Sequence, residues 1–254
     1  MLTAQTMEQL HELGLLKMAH AWQEQQKDPQ VAPLSFDERF ALLVDAQHLE
    51  NHNKRIGRLL SEAKLRLSQA CVEDVDFPKS REMDKPLWRQ LCTGRYLEDK
   101  RGILVSGATG TGKTYVACAL GHQACRKGYR VRYYRTSRLL DELHLARADG
   151  SYPKLLGRLA RFDLLILDDF LMVPPTEMQR RDLLEVLEDR YGSRSTLCTS
   201  QLPVDTWHVQ LGDATVADAL LDRLIHNAYR LVLKGPTRRK EGSPAGKLDS
   251  SDDR

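Results

Sequence analysis

Residues 107–114 read GATGTGKT, set between the apolar run GILVS (102–106) and the helix-forming stretch YVACALGHQA (115–124). The octapeptide fits G-x-x-x-x-G-K-[ST] at Gly107, Gly112, Lys113 and Thr114. A strand leading in and a helix leading out is the context in which this pattern cradles phosphate. Glycine lets backbone N–H groups converge on an anion with no Cβ in the way. Ala108, Thr109, Gly110 and Thr111 complete the expected cradle. The helix that starts near Lys113 adds the positive end of its dipole. Lys113 is expected to reach the β- and γ-phosphates of a nucleoside triphosphate, and the Thr114 hydroxyl to ligate Mg²⁺.

A second half-site follows in LLILDD, 164–169. Four apolar residues of a buried strand end in two carboxylates, which repel each other unless a cation sits nearby. Asp168 is expected to hold the Mg²⁺ and Asp169 to polarise the attacking water. Glutamate is commoner than aspartate at the second position, and the shorter side chain implies slow turnover. STLCTSQ (195–201) also ends a strand in polar groups. Thr199, Ser200 and Gln201 compete as the sensor of the γ-phosphate, and Gln201 is the choice made here. Hydrolysis further calls for positive charge at the γ-phosphate. ALLDRLIHNAYR (219–230) offers Arg223 as a finger reaching a neighbouring subunit, with Arg190, Arg194 and Arg230 as rivals.

Around these motifs the chain divides by texture. Segment 1–73 reads as a helical N-terminal domain for partner or DNA binding. Its apolar stripes are Leu15/Met18/Ala19/Trp22, Phe36/Phe40/Leu43/Val44 and Ile56/Leu59/Leu60/Ala63/Leu67, and Ser35 with Glu38 forms a capping-box signature. Segment 74–100 is a linker and lead-in to the core, broken by Pro78 and Pro86. From 101 to 236 strand and helix patterns alternate, with strands expected at 102–106, 129–135, 163–169, 195–200 and 229–234. That alternation predicts an α/β fold, a three-layer αβα arrangement on a five-stranded parallel sheet. The polar stretch 237–254 is expected to be disordered.

Net charge is only +3, yet residues 125–161 hold ten basic residues against three acids. That local excess of +7 inside a chain otherwise at −4 points to a polyanion partner. Lys154, Arg158 and Arg161 share one helical run, while Arg132, Arg135 and Arg138 bracket the end of the second strand. Both trios are candidate nucleic-acid contacts, the first preferred. Tyr133, Tyr134 and Tyr152 read as buried rather than base-stacking. No base-reading motif is present, so little sequence preference is expected. Five cysteines without a CxxC pair imply reduced thiols, and no zinc spacing occurs. No apolar run approaches a membrane span and no secretory signal opens the chain, so a cytoplasmic protein is expected.

GATGTGKT, LLILDDF, TLCTSQLPVDTWH and LLDRLIHNAYRL together resemble the AAA+ ATPases, and within them the IstB/DnaC-like group. DFPKS and the N-terminal helical segment add to a resemblance that spans about residues 5–240. It is strongest to the IstB-like insertion-sequence helper ATPases. It implies ATP as the nucleotide, self-assembly into a ring or helical oligomer on duplex DNA, target selection, and recruitment or stimulation of a partner transposase. It also implies that Lys113, Thr114, Asp168 and Asp169 form the ATPase centre. Two departures stand out: too few residues follow the last strand for a helical lid, and Gln201 stands where asparagine is usual. The alternatives are a DnaC-like replicative helicase loader, a P-loop small-molecule kinase, and a scaffold that binds ATP and barely hydrolyses it.

Overall fold

The computed structural model describes residues 2–75 and 83–237. The chain forms two compact units, Met1–Arg58 and Leu59–Arg254. Residues 76–82 of the expected linker 74–100, and all but one residue of the expected tail 237–254, lie outside the described residues.

The first unit holds α1 (Leu2–Glu12), α2 (Leu16–Lys27) and most of α3 (Phe36–Ala63). The start of α2 has no cap of its own, since Leu15 carries no acceptor. Gln47, on α3, supplies one: its side-chain carbonyl accepts the backbone N–H groups of Lys17 and Met18 at 3.1 and 3.0 Å. At the start of α3 the expected capping box forms. Glu38 N–H donates to Ser35 Oγ at 3.3 Å and Ser35 N–H to Glu38 Oε2 at 2.8 Å. The Ser35 hydroxyl, donating to Glu38 Oε2 at 2.7 Å, and then the Ser35 N–H hold the Glu38 carboxyl below its ordinary range. The Phe36/Phe40/Val44 stripe is not core, however: Phe36 is 77% exposed, and Phe40 and Val44 nearly half. Helical spacing set those side chains on one face, but no element of the unit covers it.

The second unit is built on a five-stranded sheet of β1 (Gly102–Gly107), β2 (Val131–Arg135), β3 (Leu164–Asp168), β4 (Ser195–Ser200) and β5 (Ala228–Leu233). The order is β2-β3-β4-β1-β5 and every pairing is parallel. Parallel strands covered on both faces need apolar side chains on both. Leu164 and Ile166 accordingly enter one core and Leu165 and Leu167 the other. The first core packs α4 (Lys85–Cys92), α5 (Arg95–Glu98) and α6 (Lys113–Arg126) on the sheet; the second packs α7 (Thr136–Asp149), α8 (Tyr152–Ala160), α9 (Glu177–Glu188), α10 (Trp207–Leu211) and α11 (Ala214–Ile225). The alternation in the sequence anticipates all five strands. It misses α10, a single turn around Trp207, whose buried ring lies 5.0 Å from that of Phe170.

One buried cation ties the second layer together. Arg190 is 1% exposed. Its guanidinium donates to the carbonyls of Leu159 (2.6 Å), Phe162 (2.8 Å) and Ser195, and to Thr196 Oγ1 (3.1 Å). It closes the ends of α8 and α9 onto the start of β4. Arg190 is therefore no rival for the role of a finger. Replacing it by alanine removes all four of these buried hydrogen bonds; we expect Arg190→Ala to cost at least about 3 kcal/mol, measured as a fall in urea midpoint at constant slope.

Candidate functional site

The loop between β1 and α6 takes the conformation its glycines permit. Gly107, Gly110 and Gly112 have φ of 153°, 83° and 94°. A Cβ at Gly107 would stand 2.3 Å from the Leu233 carbonyl oxygen, and one at Gly110 would stand 2.0 Å from Thr237 Oγ1. The strand end and the residues after it press on the loop from behind, so no side chain fits there. Gly112 precedes α6 without any side-chain cap, and the start of a helix favours an anion. Thr111, almost fully buried, donates its hydroxyl to the Ala108 carbonyl at 2.9 Å and braces the loop. Lys113 bends back over the loop, its Nζ 2.8 Å from both the Gly107 and Ala108 carbonyls.

Asp168 ends β3 with no exposed surface. Its carboxylate accepts Tyr133 Oη at 2.6 Å, Thr114 Oγ1 at 3.0–3.1 Å, and Thr199 Oγ1. Burying a carboxylate is costly unless hydrogen bonds and charge compensate. Burial and the bond to Asp168 raise the Tyr133 phenol above its ordinary range, so it stays a donor. Cys118, one helical turn past Thr114, is pushed up to about 11 by burial and remains a neutral thiol. The expected meeting of Thr114 with Asp168 is thus present. Tyr133 and Thr136, whose hydroxyl donates to the Asp168 carbonyl at 3.0 Å, add support that strand periodicity alone gave no means of finding.

Asp169 has φ of 58°, an uncommon conformation for a residue with a side chain. Its N–H donates to Thr199 Oγ1 (3.2 Å), and the next N–H, of Phe170, to the Thr199 carbonyl (2.7 Å). β4 thus fixes the strained turn that presents Asp169. Gln201 accepts the Thr109 hydroxyl, which places the expected sensor directly over the loop. A cavity of about 680 Å³ opens here, lined by Thr109, Gly110, Lys113, Thr114, Asp169 and Gln201 among others. That is ample for a bound nucleotide.

The residues fit a triphosphate with a divalent ion. Mg²⁺ keeps several waters and takes one or two protein oxygens plus phosphate oxygens, and the adjacent Thr114 hydroxyl and Asp168 carboxylate are such a pair.

The remaining candidates separate. Arg135 leaves the nucleic-acid set: its Nε lies 3.6 Å from Asp169 Oδ2, and its side chain lines the nucleotide cavity. Strand register explains this, since Arg135 pairs with Asp168 at the same sheet end. Arg132 donates to the Glu62 carbonyl at 3.0 Å, and Arg138 is exposed on α7, so the second trio does not form one surface. The first trio does. Lys154, Arg158 and Arg161 line a cleft of about 790 Å³ between α7 and α8, together with Arg130. Arg130 was not singled out because it lies far from α8 in sequence. Glu142 and Asp149 also face this cleft, and Arg158 pairs with Glu142.

Tyr133, Tyr134 and Tyr152 are all buried. Tyr152 donates to Asp182 and Glu185 at 2.9 and 3.0 Å. Arg223 pairs with Glu188 and lines a small cavity with Gly102, Arg194 and Thr196. Those residues mark the amino ends of the strands, and one strand length, about 17 Å, separates that end from the phosphate loop. Arg223 therefore cannot serve its own chain's loop. Arg194 lies 3.6 Å from Asp163, and Arg230 is exposed on the edge strand.

Lys113→Ala should abolish stabilisation by nucleotide. At about 100 times its Kd, ATP with Mg²⁺ should add about 2.7 kcal/mol to the wild type and nothing to the variant, read by thermal shift.

A family model described as IstB-like ATP binding protein matches residues 8–245. The insertion-sequence ATP-binding protein y4pL of Sinorhizobium fredii is 43% identical over 240 residues, covering 94% of this chain and 98% of the relative. The ATP-binding protein of insertion sequence IS1162 from Pseudomonas fluorescens is 48% identical over 206 residues, 81% of this chain and 89% of its own. Among solved structures, DnaI is similar with a TM-score of 0.57 at 18% identity, over 70% of this chain and 94% of that one. The DnaC helicase loader reaches 0.52 at 21%, over 65% and 97%. These two likenesses concern the fold alone, a parallel α/β core. With the loop, the buried strand-end aspartate and the match across nearly its whole length, the chain belongs to the IstB-like ATP-binding protein family.

Proposed function

We propose that this protein is an ATP-hydrolysing, DNA-gripping helper of transposition, working in the cytoplasm. In this reading it assembles on duplex DNA with ATP and Mg²⁺, and hydrolysis resets the assembly. The observation that carries it is the buried Asp168 carboxylate held against Thr114 beneath a loop that only glycine can form. The names of the relatives at 43–48% identity favour an insertion-sequence role, with a transposase as partner, over helicase loading. No helix among the described residues is long and apolar enough to cross a membrane.

The roles follow from position. Ala108, Thr109, Gly110, Thr111 and the flanking glycines enclose the phosphates, and Lys113 neutralises them. Thr114 and Asp168 hold Mg²⁺, which when bound offsets charge on the phosphate oxygens. Asp169, fixed at the cavity wall by Thr199, orients water, and Gln201 faces the terminal phosphate. Arg223, on the far end of the sheet, serves a neighbouring copy, which requires assembly for full activity. The segment 1–73 is assigned to partner contact; the exposed, stacked rings of Phe36 and Phe40, 5.9 Å apart, suit a protein surface.

DNA is assigned to the cleft with Arg130, Lys154, Arg158 and Arg161. Its cations meet phosphates without reading bases, so affinity depends on salt and not on sequence. Arg158 must exchange Glu142 for phosphate, an exchange that an exposed ion pair resists only weakly.

Asp169→Asn should keep ATP-dependent assembly on DNA and lose turnover at least about a hundredfold; normal turnover would place the base elsewhere. In Arg158→Ala/Arg161→Ala, duplex binding should weaken and the slope of log K against log salt should flatten by roughly 1.8. An unchanged slope, measured by fluorescence anisotropy on duplexes of unrelated sequence, would remove this cleft from the DNA face.

A further inference from the structure

Three hydroxyls surround Asp168, but hydrogen bonds alone leave its charge uncompensated. A cation completes the set from outside every motif named above. Arg66 Nη1 lies 4.0 Å from Asp168 Oδ2. It belongs neither to the phosphate loop nor to the sheet, but to the short stretch after α3.

That stretch is positioned by the phosphate-binding helix. Lys64, at φ 48°, turns the chain as α3 ends. Leu65 then seats against α6 at Gly121, where a Cβ would stand 2.9 Å from Leu65 Cδ2 and 2.8 Å from Ile166 Cδ1. Gly121 lies on the helix that also carries Thr114, so this seating brings Arg66, next in the chain, to the Thr114–Asp168 pair. The Arg66 side chain is 46% exposed and lines the same cavity as Lys113, Thr114, Asp169 and Gln201.

We propose that Arg66 is a nucleotide-contacting residue that reads the terminal phosphate from within the same chain. The proposal rests on the nucleotide reading of this cavity. With a divalent ion at Thr114 and Asp168, the buried carboxylate would no longer depend on Arg66 for compensation. The guanidinium then faces the most negative group left in the cavity, the terminal phosphate, which it meets with paired N–H donors. A diphosphate offers that group to Lys113 but leaves Arg66 without an acceptor. Arg66 therefore favours triphosphate over diphosphate, a different task from the trans-acting role of Arg223. Arg135, the other arginine of the cavity, lies instead 3.6 Å from Asp169.

The test is calorimetric titration of the full chain with ATPγS and with ADP, both with Mg²⁺, for wild type, Arg66→Gln and Arg66→Lys. Arg66→Gln should lower the ATPγS-to-ADP affinity ratio about tenfold or more, the size of one hydrogen bond to a charged group. ADP affinity should change less than about threefold, and Arg66→Lys should recover part of the ratio. A ratio that stays within about twofold of wild type, or equal losses for both nucleotides, overturns the proposal while leaving the nucleotide site intact. Absence of binding by the wild type overturns the site reading itself. If Arg66→Gln does not fold, Arg66→Met, which keeps the aliphatic stem, carries the same comparison.

Discussion

A carboxylate with no exposed surface sets the terms for this molecule. Asp168 is tolerable inside the protein because Tyr133, Thr114 and Thr199 each give it a hydroxyl and Arg66 stands at 4.0 Å. Those partners come from β2, the phosphate-binding helix, β4 and the stretch after α3. One charge thus fixes the mutual register of four elements, and disturbing any of them loosens the others. The same arrangement is what a divalent ion at a nucleotide would use, so the electrostatic demand of the fold and the chemistry of the site are one problem with one solution.

Strain is concentrated at the neighbouring residue. Asp169 and Leu171 both have positive φ, and β4 bonds the turn between them through Thr199 and Ser200. Such conformations persist only where the surroundings over-determine them. Here they keep Asp169 on the cavity wall while Asp168 stays behind Thr114, giving two adjacent acids two different environments. The opposite end of the sheet is organised by a cation instead, Arg190, whose bonds to backbone carbonyls make it structural.

Local pattern carried much of this. GATGTGKT announces the loop because glycine is required wherever backbone meets backbone, and the closeness of Leu233 and Thr237 bears that out. The strands were legible from apolar runs, and the fold class from their alternation with helices. What escaped depends on tertiary approach. The pairing of Arg66 with Asp168 spans a hundred residues and follows from Leu65 fitting at Gly121, which no spacing rule encodes. Arg135 looked like part of a basic surface because charge density ignores which end of a strand a residue occupies. Phe36 and Phe40 looked like core because periodicity identifies a common face, not whether anything covers it. Arg190 looked like a possible finger because burial of an arginine is rare enough to be unexpected.

The account turns on Thr114 and Asp168 holding a divalent ion against a nucleotide. Electron paramagnetic resonance of Mn²⁺, which takes the same oxygen ligands as Mg²⁺, tests that directly in the full chain with a non-hydrolysable ATP analogue. About one immobilised Mn²⁺ per chain should appear only with nucleotide and be lost in Asp168→Asn. A spectrum indistinguishable from free Mn²⁺–nucleotide, or an immobilised signal untouched by that substitution, would contradict it.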